Sequence, residues 1–343
     1  GALIGDSKRS PVDAGLRAAS IVLGGLGSET LAQWVASQVT PRADHHDDAL
    51  DSFAPLITEH AQTAAFDFTQ EPHLERDHAM ALPMLWVSTM HQYGFWTADA
   101  EHGWGGPMIA PIDGVLRKGS DFIWAAFARA ARNDPSSFSP ERMANEPNLF
   151  AQICTDDHGT CPVPDLASHT ALHVAHGKSM LRDWPNGYTQ ILERVSRAPN
   201  PIAALLAILR GQPGYMSDPL AKKANLLAVV LSARPEHWLT ASDPESIQPI
   251  VDYHMMRLCM RTGLVQILDP DLHRRLRTRM WVDMQEELAI RQATGRAILG
   301  LVQRTNQSVA AIDGLFFRLG RTACLETQEP DCHSCPIQSG CAQ

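Results

Sequence analysis

No run in the chain approaches the roughly eighteen consecutive apolar residues that span a bilayer, so no membrane partner is expected. No secretory leader is expected either. Residues 1–18 carry mixed charge, and the apolar patch 21–26 is short and rich in glycine. Long Val/Ile/Thr alternations are lacking, which argues against an extensive sheet. There is no internal repeat and no low-complexity tract. Positive charge is not in excess: 29 Lys and Arg stand against 38 Asp and Glu, a net of −9. The surface as a whole therefore does not attract nucleic acid. Seven cysteines in 343 residues, an odd number, argue against a disulfide scaffold. What is left is a globular protein expected in the cytoplasm, 44% hydrophobic and 20% charged, long enough for one large domain or two ordinary ones.

Charge is spread unevenly. Residues 1–194 hold 13 Lys and Arg against 24 Asp and Glu, whereas residues 195–343 hold 16 against 14. A phosphate-bearing ligand is better placed in the second part. The densest basic run, His273-Arg274-Arg275-Leu276-Arg277-Thr278-Arg279, reads first as a solvated helix face.

The apolar periodicity is helical almost throughout. Ile202, Leu205, Leu206 and Leu209 recur at helical spacing behind Pro201, which suits a first-turn proline. Ala224–Leu231 follows Ser217-Asp218-Pro219, a good helix start, and Val251–Met260 and Ala297–Val302 continue the pattern. The Pro/Gly-rich stretches near 103–114, 134–148 and 156–165 read as connectors, and Asp44-His45-His46-Asp47-Asp48 as a polar loop. The fold class expected is all-α.

Four cysteines crowd the tail in the spacing Cys324-x7-Cys332-x2-Cys335-x5-Cys341. Four soft sulfur ligands so close together suit a tetrahedral zinc or an iron–sulfur cluster, and spacing alone does not choose. The plain alternative is four free or disulfide-bonded thiols. Earlier in the chain, His169, His173 and His176 fall at i, i+4 and i+7 on one helix face, as metal ligands do, with no acidic fourth ligand nearby. Cys154 and Cys161 stand close in sequence and are expected to be reduced.

The tail's residues carry a family likeness. Gly320-Arg321-Thr322-Ala323-Cys324, then Pro330-Asp331-Cys332-His333-Ser334-Cys335-Pro336-Ile337 and Gly340-Cys341, resembles the loop that closes endonuclease-III-like DNA glycosylases. There the pattern Cys-x6-Cys-x2-Cys-x5-Cys binds a 4Fe–4S cluster; this chain has one more residue in the first gap. The resemblance implies an iron–sulfur cluster, with zinc as the alternative.

A second block resembles the same superfamily. Val251-Asp252-Tyr253-His254-Met255-Met256-Arg257-Leu258-Cys259-Met260-Arg261-Thr262 is similar to the Val-Asp-x-His-x-x-Arg-x-x-x-Arg-Thr stretch of helix–hairpin–helix glycosylases. That likeness sets Asp252 on the catalytic aspartate; without it, Asp252 reads as a helix N-cap. Lys222-Lys223-Ala224-Asn225 resembles the family's Lys-x-Ala-Asn segment and sets Lys222 on the catalytic lysine, with Lys223 the alternative. The glycine-rich hairpin that should precede it is here Ser217-Asp218-Pro219-Leu220-Ala221, without the glycines that let backbone approach a DNA phosphate. Phe95-Trp96, Gly119-Ser120-Asp121-Phe122-Ile123-Trp124, Lys222-Lys223-Ala224 and Asp252-Tyr253, in that order, resemble the queuosine-salvage glycosylases, related all-helical enzymes without a cluster.

Cleaving a nucleoside N-glycosidic bond builds positive charge on the sugar, which a carboxylate held against it stabilises. Asp252 fits that role. Lys222 fits either as an amine nucleophile or as an ammonium that binds sugar, phosphate or Asp252. Phe95, Trp96, Trp124 and Tyr253 are the aromatic candidates for stacking the base, and Asp121 for reading its edge or capping its helix. Together the resemblances imply a two-lobed glycosylase-like fold: an N-terminal helical region over 1–195, a helix–hairpin–helix-like catalytic region over 196–320 and a cluster loop over 321–343. The implied function is an N-glycosylase for a modified purine or 7-deazapurine nucleoside or nucleotide. The alternatives are a DNA glycosylase and a non-enzymatic nucleic-acid-binding protein on the same scaffold. No protein partner is indicated.

Overall fold

The computed structural model describes residues 43–61, 68–99, 103–326 and 328–341. The apolar patch 21–26 lies outside them. Among the described residues the chain forms thirteen α-helices and three two-stranded sheets, a mostly helical protein. In order these are β1 (Ala43–His45), α1 (Asp47–His60), α2 (Ala81–Met90), β2 (Trp96–Asp99), β3 (Gly103–Pro107), β4 (Ile109–Ile112) and β5 (Val115–Lys118). Next come α3 (Ser120–Asn133), α4 (Pro140–Asn145), α5 (Leu149–Ile153), α6 (Leu166–Asp183), α7 (Gly187–Ser196) and α8 (Pro201–Leu209). The last are α9 (Lys222–Ala233), α10 (Tyr253–Arg261), β6 (Val265–Ile267), α11 (Pro270–Arg277), α12 (Met284–Thr305) and α13 (Val309–Thr322).

The helix starts follow local chemistry. Pro201 opens α8, where its missing N–H is not needed, and Ile202, Leu205, Leu206 and Leu209 turn inward from it. Asp283 and Glu286 form a reciprocal capping box at the start of α12, and Asp269 and Ser308 cap α11 and α13.

Three stretches read as connectors or loop are ordered differently. Residues 103–114 belong to two hairpins. The tighter one pairs Ile112 with Val115 across Asp113-Gly114, both at positive φ, as a two-residue primed turn requires. Asp157 clamps that turn by accepting the Asp113 and Gly114 N–H groups at 3.0 and 2.9 Å. Residues 134–148 hold a 3-10 turn, Pro135–Phe138, and α4. Asp44 and His45 pair with Gln266 and Val265 in the β1–β6 sheet, and Asp47 and Asp48 are the first turn of α1, where the helix dipole favours acids. The stretch 156–165 is a connector.

Buried apolar side chains fall into two clusters. One gathers residues between Leu74 and Ile247 together with Val309, with Trp86, Phe122, Phe127 and Phe150 fully buried in it. The other joins α1 to α10, α12 and α13 through Leu50, Phe53, Met255, Ile298 and Phe316. Where α6 crosses α4, Gly177 lies so near that a Cβ there would stand 2.6 Å from the Ala144 nitrogen. The buried Arg234 stitches the cavity rim to α9: it donates to the Phe68, Leu74 and Glu75 carbonyls and pairs with Glu236.

Candidate functional site

A cavity of about 3260 Å³ opens where the two clusters face each other. Phe95, Trp96, Asp121, Trp124, Lys222, Lys223, Asp252 and Tyr253 all line it. Residues separated by more than 150 positions are thus gathered at one place, although their surroundings differ.

The lysines sit in the first turn of α9. Asp218 fixes that turn, taking the Leu220 and Lys222 N–H groups at 3.1 and 2.8 Å, and is itself paired with Arg291 of α12 at 3.0 Å. Lys222 Nζ donates to the Gln92 carbonyl at 2.8 Å, and Lys223 Nζ to the Met90 carbonyl at 3.1 Å. Both cations thereby meet carbonyls at the C-terminal end of α2, where the helix dipole favours them. Burial lowers the pKa of Lys222, against the opposing pull of Asp252, Asp218 and Asp313. Burial also lowers Lys223, to about 8, and its ammonium lies 4.5 Å from the centre of the Tyr93 ring.

Asp252 is the N-cap of α10. Its Oδ1 accepts both capping bonds, from His254 N at 2.8 Å and Met255 N at 3.0 Å. Oδ2 takes no hydrogen bond from the protein among the described residues. Lys222 and Asp252 act on one another electrostatically without forming a direct ion pair, so a gap separates them. The cap reading and the cavity reading of Asp252 hold together: capping occupies one oxygen and orients the other.

The aromatic side chains divide into two kinds. Trp96 and Tyr253 meet edge to face, 5.9 Å between ring centres, and are half-buried in the wall. The Trp96 Nε1–H is buried with no acceptor. Phe95 and Trp124 are each only 6% exposed and are packing residues first: Phe95 lies against Gly119, and Trp124 against His73 at 4.9 Å. Asp121 lines the cavity and does not cap α3. It is paired with Arg321 of α13, which donates to it at 2.8 Å.

Sequence reasoning missed one lining residue that belongs with this group. Asp313 projects from α13 into the wall near Lys222 and Asp252, with its Oδ1 closed off and unpartnered. Burial, reinforced by the Asp252 charge, pushes its pKa well above the usual carboxylate range. Its signal in the sequence is a lone acid inside the apolar run Val309-Ala310-Ala311-Ile312-Asp313-Gly314-Leu315-Phe316.

The cysteine tail lies against α10. Arg257 donates to the Gly320 carbonyl at 2.7 Å and the Cys324 carbonyl at 3.1 Å, and Arg261 to Cys324 Sγ at 3.3 Å and the Leu325 carbonyl at 2.6 Å. Glu326 ties the same loop to Lys118 of β5 and to Arg257. Cys324, Cys335 and Cys341 are half-buried beside the second apolar cluster, and Cys332 is exposed. Burial raises the thiols of Cys335 and Cys341, the latter to about 11, and the neighbouring cysteines add to both shifts. As they stand, no three His, Cys, Asp or Glu side chains among the described residues are gathered tightly enough to hold a metal ion. The tail's donor set nonetheless fits a thiolate-bound centre: four sulfurs within electrostatic reach of one another, one already receiving an arginine N–H.

The three histidines of α6 do share one face, and it is turned into the core. His91 joins them, its Nδ1 3.0 Å from His169 Nδ1 and its Nε2 3.2 Å from His173 Nδ1, while His176 meets the Tyr188 hydroxyl at 3.1 Å. Cys154 and Cys161 are free thiols. In the basic run, Arg274 and Arg275 pair with Asp271, and Arg275 also with Glu286. Arg279 donates to the Glu326 carbonyl, whereas Arg277 lines the cavity with no protein partner among the described residues.

Comparison with protein-family models and with curated proteins finds no match to this chain.

Proposed function

We propose that the chain is an N-glycosylase that hydrolyses the glycosidic bond of a modified purine or 7-deazapurine nucleoside or nucleotide. The observation that carries this reading is the half-occupied carboxylate of Asp252. One oxygen is spent on the helix cap, and the other is free beside a deep cavity with Lys222 across a gap. A sugar seated in that gap has a fixed anion against the carbon where positive charge develops, the arrangement that lowers such a barrier. Asp252 stabilises the oxocarbenium-like state and orients the attacking water. Lys222 binds the sugar or its phosphate from the opposite side. Trp96 and Tyr253 offer ring surface to the base, and the unpaired Trp96 N–H offers it a donor.

Cys324, Cys332, Cys335 and Cys341 would hold a 4Fe–4S cluster, with zinc as the alternative. When bound, that group supplies a covalent cross-link of the tail and takes no part in breaking the bond. Arg257 and Arg261 connect the loop to the helix that Asp252 caps, so the tail's order bears on the position of the carboxylate.

The test is release of free base, read by mass spectrometry from a panel of modified nucleotides and DNAs. Asp252→Asn is expected to lose about a hundredfold or more in turnover while keeping its iron content and visible absorbance. No released base from the wild type on any substrate would refute the enzyme reading. Excision from DNA is the second reading. It is favoured by a cavity well above the roughly 300–1,000 Å³ of small-molecule sites, and by Arg277, without a protein partner among the described residues, and the 51% exposed Trp281, both of which line it.

A further inference from the structure

We propose that Asp313 is a second catalytic carboxyl, the acid that hands a proton to the departing base while Asp252 serves the sugar. This rests on the N-glycosylase reading and adds a residue that no motif pointed to. Three elements converge on the group: α13 brings Asp313, α10 brings Asp252, and α9 brings Lys222. All three line the same cavity, and Asp313 acts electrostatically on both of the others. Its Oδ1 is buried without a hydrogen-bond partner, and a buried polar atom left unpaired asks for a ligand or a proton to explain it.

The two carboxyls live in unlike surroundings. Asp252 is held by two backbone N–H groups at a helix start, where a negative charge is welcome. Asp313 lies in the middle of α13, where burial of its carboxyl and the like charge of Asp252 keep its proton on against the pull of Lys222 and of a hydrogen bond from the Ile250 N–H. The charged and titratable groups facing it are Lys222 from α9 and Asp252 and Cys259 from α10. One ionised and one neutral carboxyl beside a scissile glycosidic bond make an acid–base pair.

The step balances as follows. The bond from C1′ to the base nitrogen breaks, and its electron pair leaves with the base. The base takes the proton of the Asp313 carboxyl. Water adds its oxygen to C1′ and gives its proton to Asp252, and that proton returns to Asp313 through solvent. Asp313 is left transiently as a carboxylate near the Lys222 cation.

Two probes separate an acid from a structural residue. 7-Deazaguanosine 5′-monophosphate leaves a base that needs a proton. 7-Methylguanosine 5′-monophosphate leaves a base that departs neutral without one. Asp313→Asn, which keeps the shape and neutrality of the protonated side chain, is expected to slow release of 7-deazaguanine about a hundredfold or more. It is expected to slow release of 7-methylguanine less than tenfold, whereas Asp252→Asn slows both alike. The alkaline fall of the 7-deazaguanine rate should vanish in Asp313→Asn. Equal slowing of both probes by Asp313→Asn, or rates equal to wild type on both, would overturn the acid and leave the enzyme reading standing. Release of neither base by the wild type would overturn the acid as proposed, and release of no base from the wider panel of nucleotides and DNAs would overturn the enzyme reading itself.

Discussion

Two lysines stand side by side at the start of α9, and their surroundings part them. Lys222 feels Asp252 and Asp313 as well as Asp218, while Lys223 feels Asp218 and its neighbouring lysine and lies over the Tyr93 ring, only 6% exposed. Nothing in Lys222-Lys223 distinguishes the two, because a shift of one residue keeps a cation in place. Both line the cavity and donate to carbonyls at the α2 end, and the helical turn of about 100° between them sets Lys222 towards Asp252 and Asp313 and Lys223 against the Tyr93 ring. Lys222→Met is therefore expected to lower turnover about a hundredfold or more, and Lys223→Met less than tenfold, in the same base-release assay. Borohydride trapping adds a mechanistic readout. A covalent adduct that Lys222→Met abolishes and Lys223→Met retains marks Lys222 as an amine nucleophile. A trapped adduct in Lys222→Met would reverse the assignment. Asp252 was legible as a residue, whereas its free oxygen was not, since only the cap geometry decides which oxygen is occupied.

Among elements, the helices were readable because each repeats a local rule: a proline or aspartate start, then apolar side chains every three or four residues. The hairpins were misread for a related reason. Gly and Pro mark breaks in both loops and strands, and Asp113-Gly114 announces a primed turn only when its flanks are weighed as strands. Pairings such as Arg321 with Asp121, 200 residues apart, or His91 with His169 leave no local trace at all. Close helix approach is another hidden property. Gly177 lies within α6, where glycine by itself weakens a helix, yet α4 leaves no room for anything larger. A Cβ would stand 2.6 Å from the Ala144 nitrogen and 2.7 Å from Met143 Cβ, both far too close. Backbone is among the obstructing atoms, so the helices must separate. Gly177→Ala is expected to lower stability by about 1–3 kcal/mol despite alanine's better helix propensity, measured as a fall in thermal or denaturant midpoint. An unchanged or raised midpoint would show that α4 and α6 yield without loss.

Taken whole, the molecule keeps four of its histidines apart from the charged groups of its cavity. The cavity between the two apolar clusters draws cations and acids together from both, while the imidazoles of His91, His169, His173 and His176 are sealed in the first cluster's interior. Burial drives His91 well below its ordinary value, His169 and His176 to about 4 and His173 to about 3. In the unfolded chain each takes up a proton near pH 6.5. Between about pH 4 and pH 6.5 the unfolded state therefore binds more protons than the native one, and stability falls as pH is lowered through that window. Each histidine contributes a slope of about 1.4 kcal/mol per pH unit at most, and Asp313, neutral in the native state, opposes with one slope of the same size. His254 of the cavity wall, which burial lowers to about 4, adds a fifth histidine, so the net is about four protons, or about 5 kcal/mol per pH unit near pH 5. Denaturant midpoints should thus drop steeply from pH 7 to pH 5, before most carboxylates titrate. His176→Phe should flatten the profile by about one histidine's share, whatever the loss of its contact with the Tyr188 hydroxyl does to stability at pH 7. A midpoint independent of pH over that range would mean that these five imidazoles accept protons without unfolding.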